Sequence, residues 1–86
     1  MKHFASRRFW QCFENLPANV QRLAKRNFDL LKQNPAHPSL HFKELGGNRY
    51  RSVRIGLHYR ALGVPVADGI QWFWIGTHED YNKLVS

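Results

Sequence analysis

Basic residues gather in the middle of the chain, and most of them are arginines. The stretch contains one acidic residue, Glu44, among Lys43, Arg49, Arg51, Arg54 and Arg60. A guanidinium group presents a planar fork of donors that matches a phosphate group. Like charges on neighbouring strands repel each other unless an anion lies between them. The cluster therefore indicates an anion-binding face, with a solvated basic surface that binds nothing as the alternative.

A histidine and a tyrosine follow the last strongly apolar stretch. His78 and Tyr81 lie within the sequence IGTHEDY of residues 75–81. Histidine is the side chain best suited to proton transfer near neutral pH. His78 is therefore a candidate acid or base beside the arginine face, although an isolated histidine is more often structural or merely exposed.

Other catalytic arrangements find little support. The single cysteine, Cys12, excludes an internal disulfide and leaves no thiolate metal site. The five histidines share no metal-ligand spacing, and the six acidic residues are scattered apart from the adjacent Glu79 and Asp80. There is also no glycine-rich phosphate loop. We expect no metal and no other cofactor.

Charge and hydropathy limit the partners and the cellular compartment that the sequence is compatible with. The 86 residues include 13 Lys and Arg against 6 Asp and Glu, which gives a formal net charge of +7. Such a charge attracts polyanions without choosing among DNA, RNA and an acidic protein. No apolar run approaches the roughly 20 residues that span a bilayer, and the basic N-terminus leads into no uninterrupted apolar segment. The expectation is one soluble domain, residues 1–86, in the cytoplasm and away from membranes.

Helical spacing dominates the first third of the chain. Ser6 can cap a first helix, and Pro17 suits the first turn of a second helix that ends at Asn34-Pro35. The second helix has an apolar stripe formed by Val20, Leu23, Ala24, Phe28 and Leu31.

Strand-like alternation follows the helices. We predict antiparallel strands over residues 49–55, 59–64 and 70–75, a connection over 36–48, a hairpin loop over 65–69 and one or two helical turns over 77–85. The fold class is therefore α+β, with two N-terminal helices packed on a small antiparallel sheet and a short C-terminal helical segment.

Alternation along the strands also predicts which residues share a face. Arg54 should point away from the helices, with Arg60 within reach on the adjoining strand, so function is expected on the face that the helices leave free. Alternation further predicts that Trp72 and Trp74 share one face, opposite Phe73, mostly as core residues.

Four short motifs in this order resemble the RelE/ParE toxin superfamily of bacterial toxin–antitoxin systems. They are LHFKEL at 40–45, RSVRI at 51–55, HYRAL at 58–62 and IGTHEDY at 75–81. The resemblance implies a RelE-like fold and a cytoplasmic bacterial toxin neutralised by a cognate acidic antitoxin. RelE-like members cleave mRNA in the ribosomal A site without a metal, whereas ParE-like members poison DNA gyrase and lack the nuclease residues.

The resemblance also implies roles for individual residues. Arg54 and Arg60 match the phosphate-holding positions, His78 the basic or histidine position after the last strand, and Tyr81 the C-terminal tyrosine. The implied reaction is attack of a 2′-OH on the adjacent phosphate, which leaves a 2′,3′-cyclic phosphate.

In this scheme Tyr81 would stack on a base or hold the RNA, and the strand would be bound by Lys43, Arg49, Arg51 and Tyr50. Ser52 stands where some relatives carry a second lysine, so the general base stays open. The alternatives are a gyrase inhibitor and a non-catalytic module that binds nucleic acid or antitoxin.

Overall fold

Three α-helices and five strands make up the computed structural model, which describes residues 1–86. In chain order they are β1 (Lys2–Ala5), α1 (Arg7–Glu14), α2 (Ala18–Gln33), β2 (Lys43–Leu45), β3 (Tyr50–Ile55), β4 (Tyr59–Val66), β5 (Gly69–Thr77) and α3 (His78–Val85), with a short 3₁₀ turn at Pro38–Leu40 before β2. None of these helices combines the length and the hydropathy that crossing a membrane requires.

Helix ends follow the local sequence signals. The Ser6 hydroxyl accepts a hydrogen bond from the Phe9 backbone N–H at 3.2 Å and so caps α1. Helix α2 begins directly after Pro17 and ends one residue before Asn34. At the other end of the chain, the Thr77 hydroxyl accepts from the Asp80 N–H at 3.2 Å. Both predicted N-terminal helices and the C-terminal helical segment are confirmed.

The sheet has the strand order β1-β5-β4-β3-β2 and is antiparallel except for the parallel pairing of β1 with β5. The three predicted strands are β3, β4 and β5, although β4 and β5 continue to Val66 and from Gly69. The predicted loop over 65–69 is therefore wrong at both ends. Strands β1 and β2 were not predicted: they are short edge strands, defined by pairing with a neighbour rather than by an alternation of their own.

The main core lies between the sheet and helices α1 and α2. Eleven buried residues form it, and its fully enclosed members come from both layers. They include Ala24, Leu31, Ile55, Ala61 and Trp72. The apolar stripe of α2 is thus the face that packs on the sheet, as its spacing predicts.

The opposite face of the sheet is only partly free, because α3 folds back over it. Tyr81 of α3 packs with Leu62 and Trp74 in a second buried cluster. The pairing of β4 with β5 shifts register between Leu62 and Gly63, which leaves Phe73 as an extra residue in β5. This bulge reverses the alternation, so Trp72 lies in the main core and Trp74 in the second cluster. The expectation that both tryptophans share a face is wrong, whereas their core role is confirmed.

Candidate functional site

Two arginines face each other across adjacent strands on the side of the sheet away from α1 and α2. Arg54 of β3 and Arg60 of β4 are direct partners in the strand register. Residues in this relation have Cβ atoms about 4.5–5.5 Å apart and point to the same side. Asn27 of α2 donates a hydrogen bond to the Arg54 carbonyl at 3.1 Å, which ties β3 to the helix layer behind it.

Each guanidinium forms only one hydrogen bond within the protein. Arg54 Nε donates to the Gly56 carbonyl at 3.1 Å, and an Arg60 terminal nitrogen donates to the Tyr59 carbonyl at 2.8 Å. Neither arginine pairs with a carboxylate, since the two ion pairs of the protein join Lys2 to Asp68 and Arg51 to Glu44. A guanidinium has five N–H donors. Most donors of this arginine pair are therefore left for a ligand.

The electrostatics of the arginine pair favour the binding of an anion between the two side chains. Burial, and then the charge of Arg54, lowers the pKa of the Arg60 guanidinium, while Tyr81 acts in the opposite direction. Two cations held side by side are destabilising in the absence of a counter-ion. An anion placed between them would remove this repulsion and use their unoccupied donors.

Helix α3 brings a histidine and a tyrosine towards this pair. The His78 backbone N–H donates to the His58 carbonyl at 2.7 Å, which fixes the start of α3 against the turn between β3 and β4. The His78 side chain is exposed, and its ring centre lies 6.2 Å from that of Tyr81. The tyrosine is close enough to Arg60 to affect its pKa. The structure thus gathers Arg54, Arg60, His78 and Tyr81 in one region.

The burial of Tyr81 limits the roles that its side chain can have in binding RNA. The residue is only 5% exposed, so its ring has no open face on which a base could stack. Its hydroxyl forms no hydrogen bond within the protein. Every buried side-chain oxygen and nitrogen has a partner, so the Tyr81 hydroxyl oxygen is not itself buried. The hydroxyl therefore reaches solvent beside Arg60. Stacking, one of the two roles expected for this residue, is inconsistent with the structure, and hydrogen bonding through the hydroxyl is not.

The residues expected to bind the RNA strand divide between two places. Lys43 is exposed on β2 opposite Ser52, and alternation puts both on the face of Arg54. Tyr50 begins β3 on that same face.

The two remaining strand-binding candidates lie apart from the arginine pair. Alternation places Arg51 on the helix side, where its side chain is 17% exposed and paired with Glu44 at 3.6 Å. Arg49 is exposed in the turn before β3. The structure therefore does not bring Arg51 to the arginine pair, and it leaves Arg49 just outside the strand.

Two residues missed by the sequence reasoning help to shape the site. Gly76 of β5 is the direct partner of Arg60, and a Cβ there would lie 2.5 Å from the ring of Trp74. The missing side chain thus lets that ring pack over the strand position that pairs with Arg60. A glycine inside a strand is the signal that could have found it. His58 holds α3 through its carbonyl alone, and side-chain chemistry in the sequence gives no sign of that contact.

Comparison with known proteins identifies the family. The profile of the ParE-like toxin domain matches residues 18–83. The chain belongs to the ParE-like toxin domain family. It is therefore a RelE/ParE-family toxin of toxin–antitoxin systems, as the motifs predict. No protein of curated function shows significant sequence similarity to this ParE-like toxin.

Solved structures confirm the fold. A chain of the RelB–RelE antitoxin–toxin complex from Methanococcus jannaschii superposes with a TM-score of 0.74 at 14% identity, covering 96% of this chain and 99% of that one. YafQ from E. coli gives 0.73 at 14% identity, with 93% and 96% covered. The YoeB/ParE toxin from Agrobacterium tumefaciens gives 0.68 at 18% identity, with 91% and 99% covered. This ParE-like toxin therefore has the RelE-like fold.

Proposed function

We propose that this ParE-like toxin is a metal-free endoribonuclease that cleaves mRNA at the ribosome and so inhibits translation in the cytoplasm. The observation that carries the proposal is the arginine pair: Arg54 and Arg60 face each other and have no carboxylate partner. Helix α3, which begins with His78, is held against the turn that joins their two strands. Cations of this kind can supply the charge stabilisation that phosphoryl chemistry needs. The chain brings together no group of three or more His, Cys, Asp and Glu side chains that could hold a metal ion.

The reaction is an internal transesterification, in which phosphorus exchanges its bond to the 5′-oxygen of the next nucleotide for a bond to the neighbouring 2′-oxygen. The 2′-oxygen attacks the adjacent phosphorus and gives its proton to a base, while the bond to the 5′-oxygen breaks and that oxygen takes a proton from an acid. The products are a 2′,3′-cyclic phosphate and a 5′-hydroxyl. Arg54 and Arg60 stabilise the negative charge that builds up on the non-bridging oxygens.

The remaining groups supply protons and orientation. His78 is exposed at the start of α3 and serves as acid or base. The Tyr81 hydroxyl holds the phosphate or the attacking sugar beside Arg60. Lys43 and Tyr50 bind the RNA strand along the same face of the sheet. Ser52 is 1% exposed and its hydroxyl is not basic enough to act as a general base, so this position of β3 supplies no proton acceptor.

An acidic antitoxin protein is the proposed partner. The match to a RelB–RelE antitoxin–toxin complex supports it, and a net charge of +7 attracts an acidic chain. A disordered acidic segment that folds on binding would neutralise the toxin by covering Arg54 and Arg60 or by displacing α3.

Inhibition of DNA gyrase is the second candidate function, because the matching family is the ParE-like one. The two functions can be separated in cells that express the wild type, Arg60→Ala or a matched control, Arg26→Ala. Arg26 is an exposed arginine of α2, so its removal changes the charge equally without touching the arginine pair.

A nuclease truncates translated transcripts and leaves plasmid supercoiling unchanged, and this loss of transcripts disappears with Arg60→Ala but not with Arg26→Ala. Intact transcripts together with altered supercoiling in the wild type would reject the nuclease and support gyrase as the target.

A further inference from the structure

A small cavity lies on the same face of the sheet as the arginine pair, towards the other end of α3. Its volume is about 150 Å³. It is lined by Arg8, Tyr50, Leu62, Phe73, Leu84 and Val85. Five of these six residues are apolar or aromatic, and the only charge among them is the positive one of Arg8.

The aromatic wall of this cavity is fixed in place yet open to solvent. The Tyr50 ring lies 6.3 Å from the Phe73 ring, at 54° to it. One edge of the ring lies near Gly46, where a Cβ would approach Tyr50 Cδ2 to 3.2 Å. Tyr50 nevertheless stays 37% exposed, and Leu84 and Val85 are 52% and 41% exposed. A ring that is held by its neighbours and partly exposed is suited to stacking, because little conformational freedom is lost when a second ring binds.

The cavity is aligned with the proposed phosphate site. Tyr50 and Arg54 lie on the same side of β3 and are four residues apart, a distance of about 13 Å along a strand. An RNA strand of a few nucleotides spans this distance. A ligand with flat apolar faces and flanking negative charge would match both the aromatic wall and Arg8.

We infer that this cavity binds one nucleobase of the RNA strand whose phosphate is held by Arg54 and Arg60. Tyr50 provides the stacking surface, and Arg8 contacts a phosphate that flanks this base. The inference rests on the proposed ribonuclease function and adds a second contact, placed away from the reacting phosphate. A base at one fixed distance from the cleaved bond would then determine where the toxin binds a transcript.

Binding of short RNAs tests this base site. The full chain is titrated into fluorescent 2′-O-methyl hexanucleotides, which cannot be cleaved, with one abasic position moved along the series. Stacking on an aromatic side chain contributes roughly 1–3 kcal/mol per base, so one abasic position should weaken wild-type binding about 5- to 150-fold. In Tyr50→Ala that same position should no longer matter, whereas Tyr50→Phe should behave like the wild type.

Two control variants separate the possible outcomes. Trp10→Ala removes an aromatic residue that is 48% exposed and does not line this cavity, so it should leave every affinity unchanged. An abasic penalty of equal size in the wild type and in Tyr50→Ala, or no penalty at any position, would overturn the base site. Arg60→Ala should weaken all the hexanucleotides alike. If it binds them as the wild type does, or if the wild type binds none, the proposed function fails and the base site fails with it.

Discussion

Removal of one arginine of the pair should abolish a specific stabilisation by phosphate. Arg60→Gln deletes the charge that faces Arg54 and keeps an N–H donor for the Tyr59 carbonyl. Without phosphate, relief of the cross-strand repulsion contributes about 0.2–1 kcal/mol, and the weaker hydrogen bond offsets part of it. The unliganded variant should therefore be about as stable as the wild type, or slightly more stable.

The effect of phosphate on the wild type can be estimated by linkage. A ligand present at ten times its Kd stabilises the folded state by about 1.4 kcal/mol. For a domain of this size that corresponds to a rise in Tm of roughly 6–11 °C. The Arg60→Gln variant should lose most of this rise, because one guanidinium alone offers half of the charge and donors.

Thermal unfolding, followed by circular dichroism in sodium phosphate and in sodium chloride of equal ionic strength, measures this difference. Phosphate also stabilises proteins in general through exclusion from their surface, so the quantity of interest is the difference in response between variants. The matched control is Arg26→Gln, which should respond as the wild type does. Equal responses of the wild type and Arg60→Gln would refute the anion site, as would an equal loss in both variants.

Three further substitutions test other parts of the structure. Gly76→Ala places a Cβ 2.5 Å from the Trp74 ring, and such overpacking should lower the unfolding free energy by about 1–3 kcal/mol in urea denaturation. Tyr81→Phe keeps the buried ring, so stability should hold while RNA cleavage falls; unchanged cleavage would contradict a role for the hydroxyl. His3 accepts a hydrogen bond from the Trp72 indole at 3.1 Å, and burial, then the charges of Lys32 and the N-terminus, lowers its pKa. A lowered pKa means that the unfolded chain takes up the proton first, so stability is lost as the pH falls below about 6.5, by at most about 1.4 kcal/mol per pH unit for this group. His3→Gln should flatten that dependence, and an identical pH profile would contradict it.

Local signals predicted most of the fold. A hydroxyl at Ser6 and a proline at Pro17 set helix starts because their effects act within one helical turn. The facing of Arg54 and Arg60 followed from alternation on two strands joined by a short turn, which has only a few registers available. Two arginines at these positions were therefore the part of the site most accessible to sequence reasoning.

The features that the sequence did not predict depend on contacts between segments that are distant along the chain. The parallel pairing of β1 joins Lys2–Ala5 to β5, nearly the full length of the chain away, and four mostly exposed residues carry no alternation that reveals it. The bulge at Phe73 depends on how β4 and β5 pair, so alternation alone could not find it.

Two residues around the arginine pair also differ from what the sequence predicts. The burial of Tyr81 depends on where α3 docks, which a helix of eight residues does not indicate. The charge of Arg51 predicts a role in RNA binding, whereas alternation assigns its side chain to the side of Val53, away from the arginine pair.

The most direct test of the account is 5′-end mapping of transcripts after induction of the wild type and of His78→Ala, with the chemistry of the new 3′ ends determined in the same samples. A ribonuclease of the proposed mechanism produces new internal ends in translated mRNAs, with 2′,3′-cyclic phosphates, in the wild type. The His78→Ala substitution should lower their yield roughly 100- to 1000-fold, the typical effect of losing one well-placed catalytic group. Equal cleavage at the same positions in a folded His78→Ala variant, or no new ends in wild-type cells that stop growing, would contradict it.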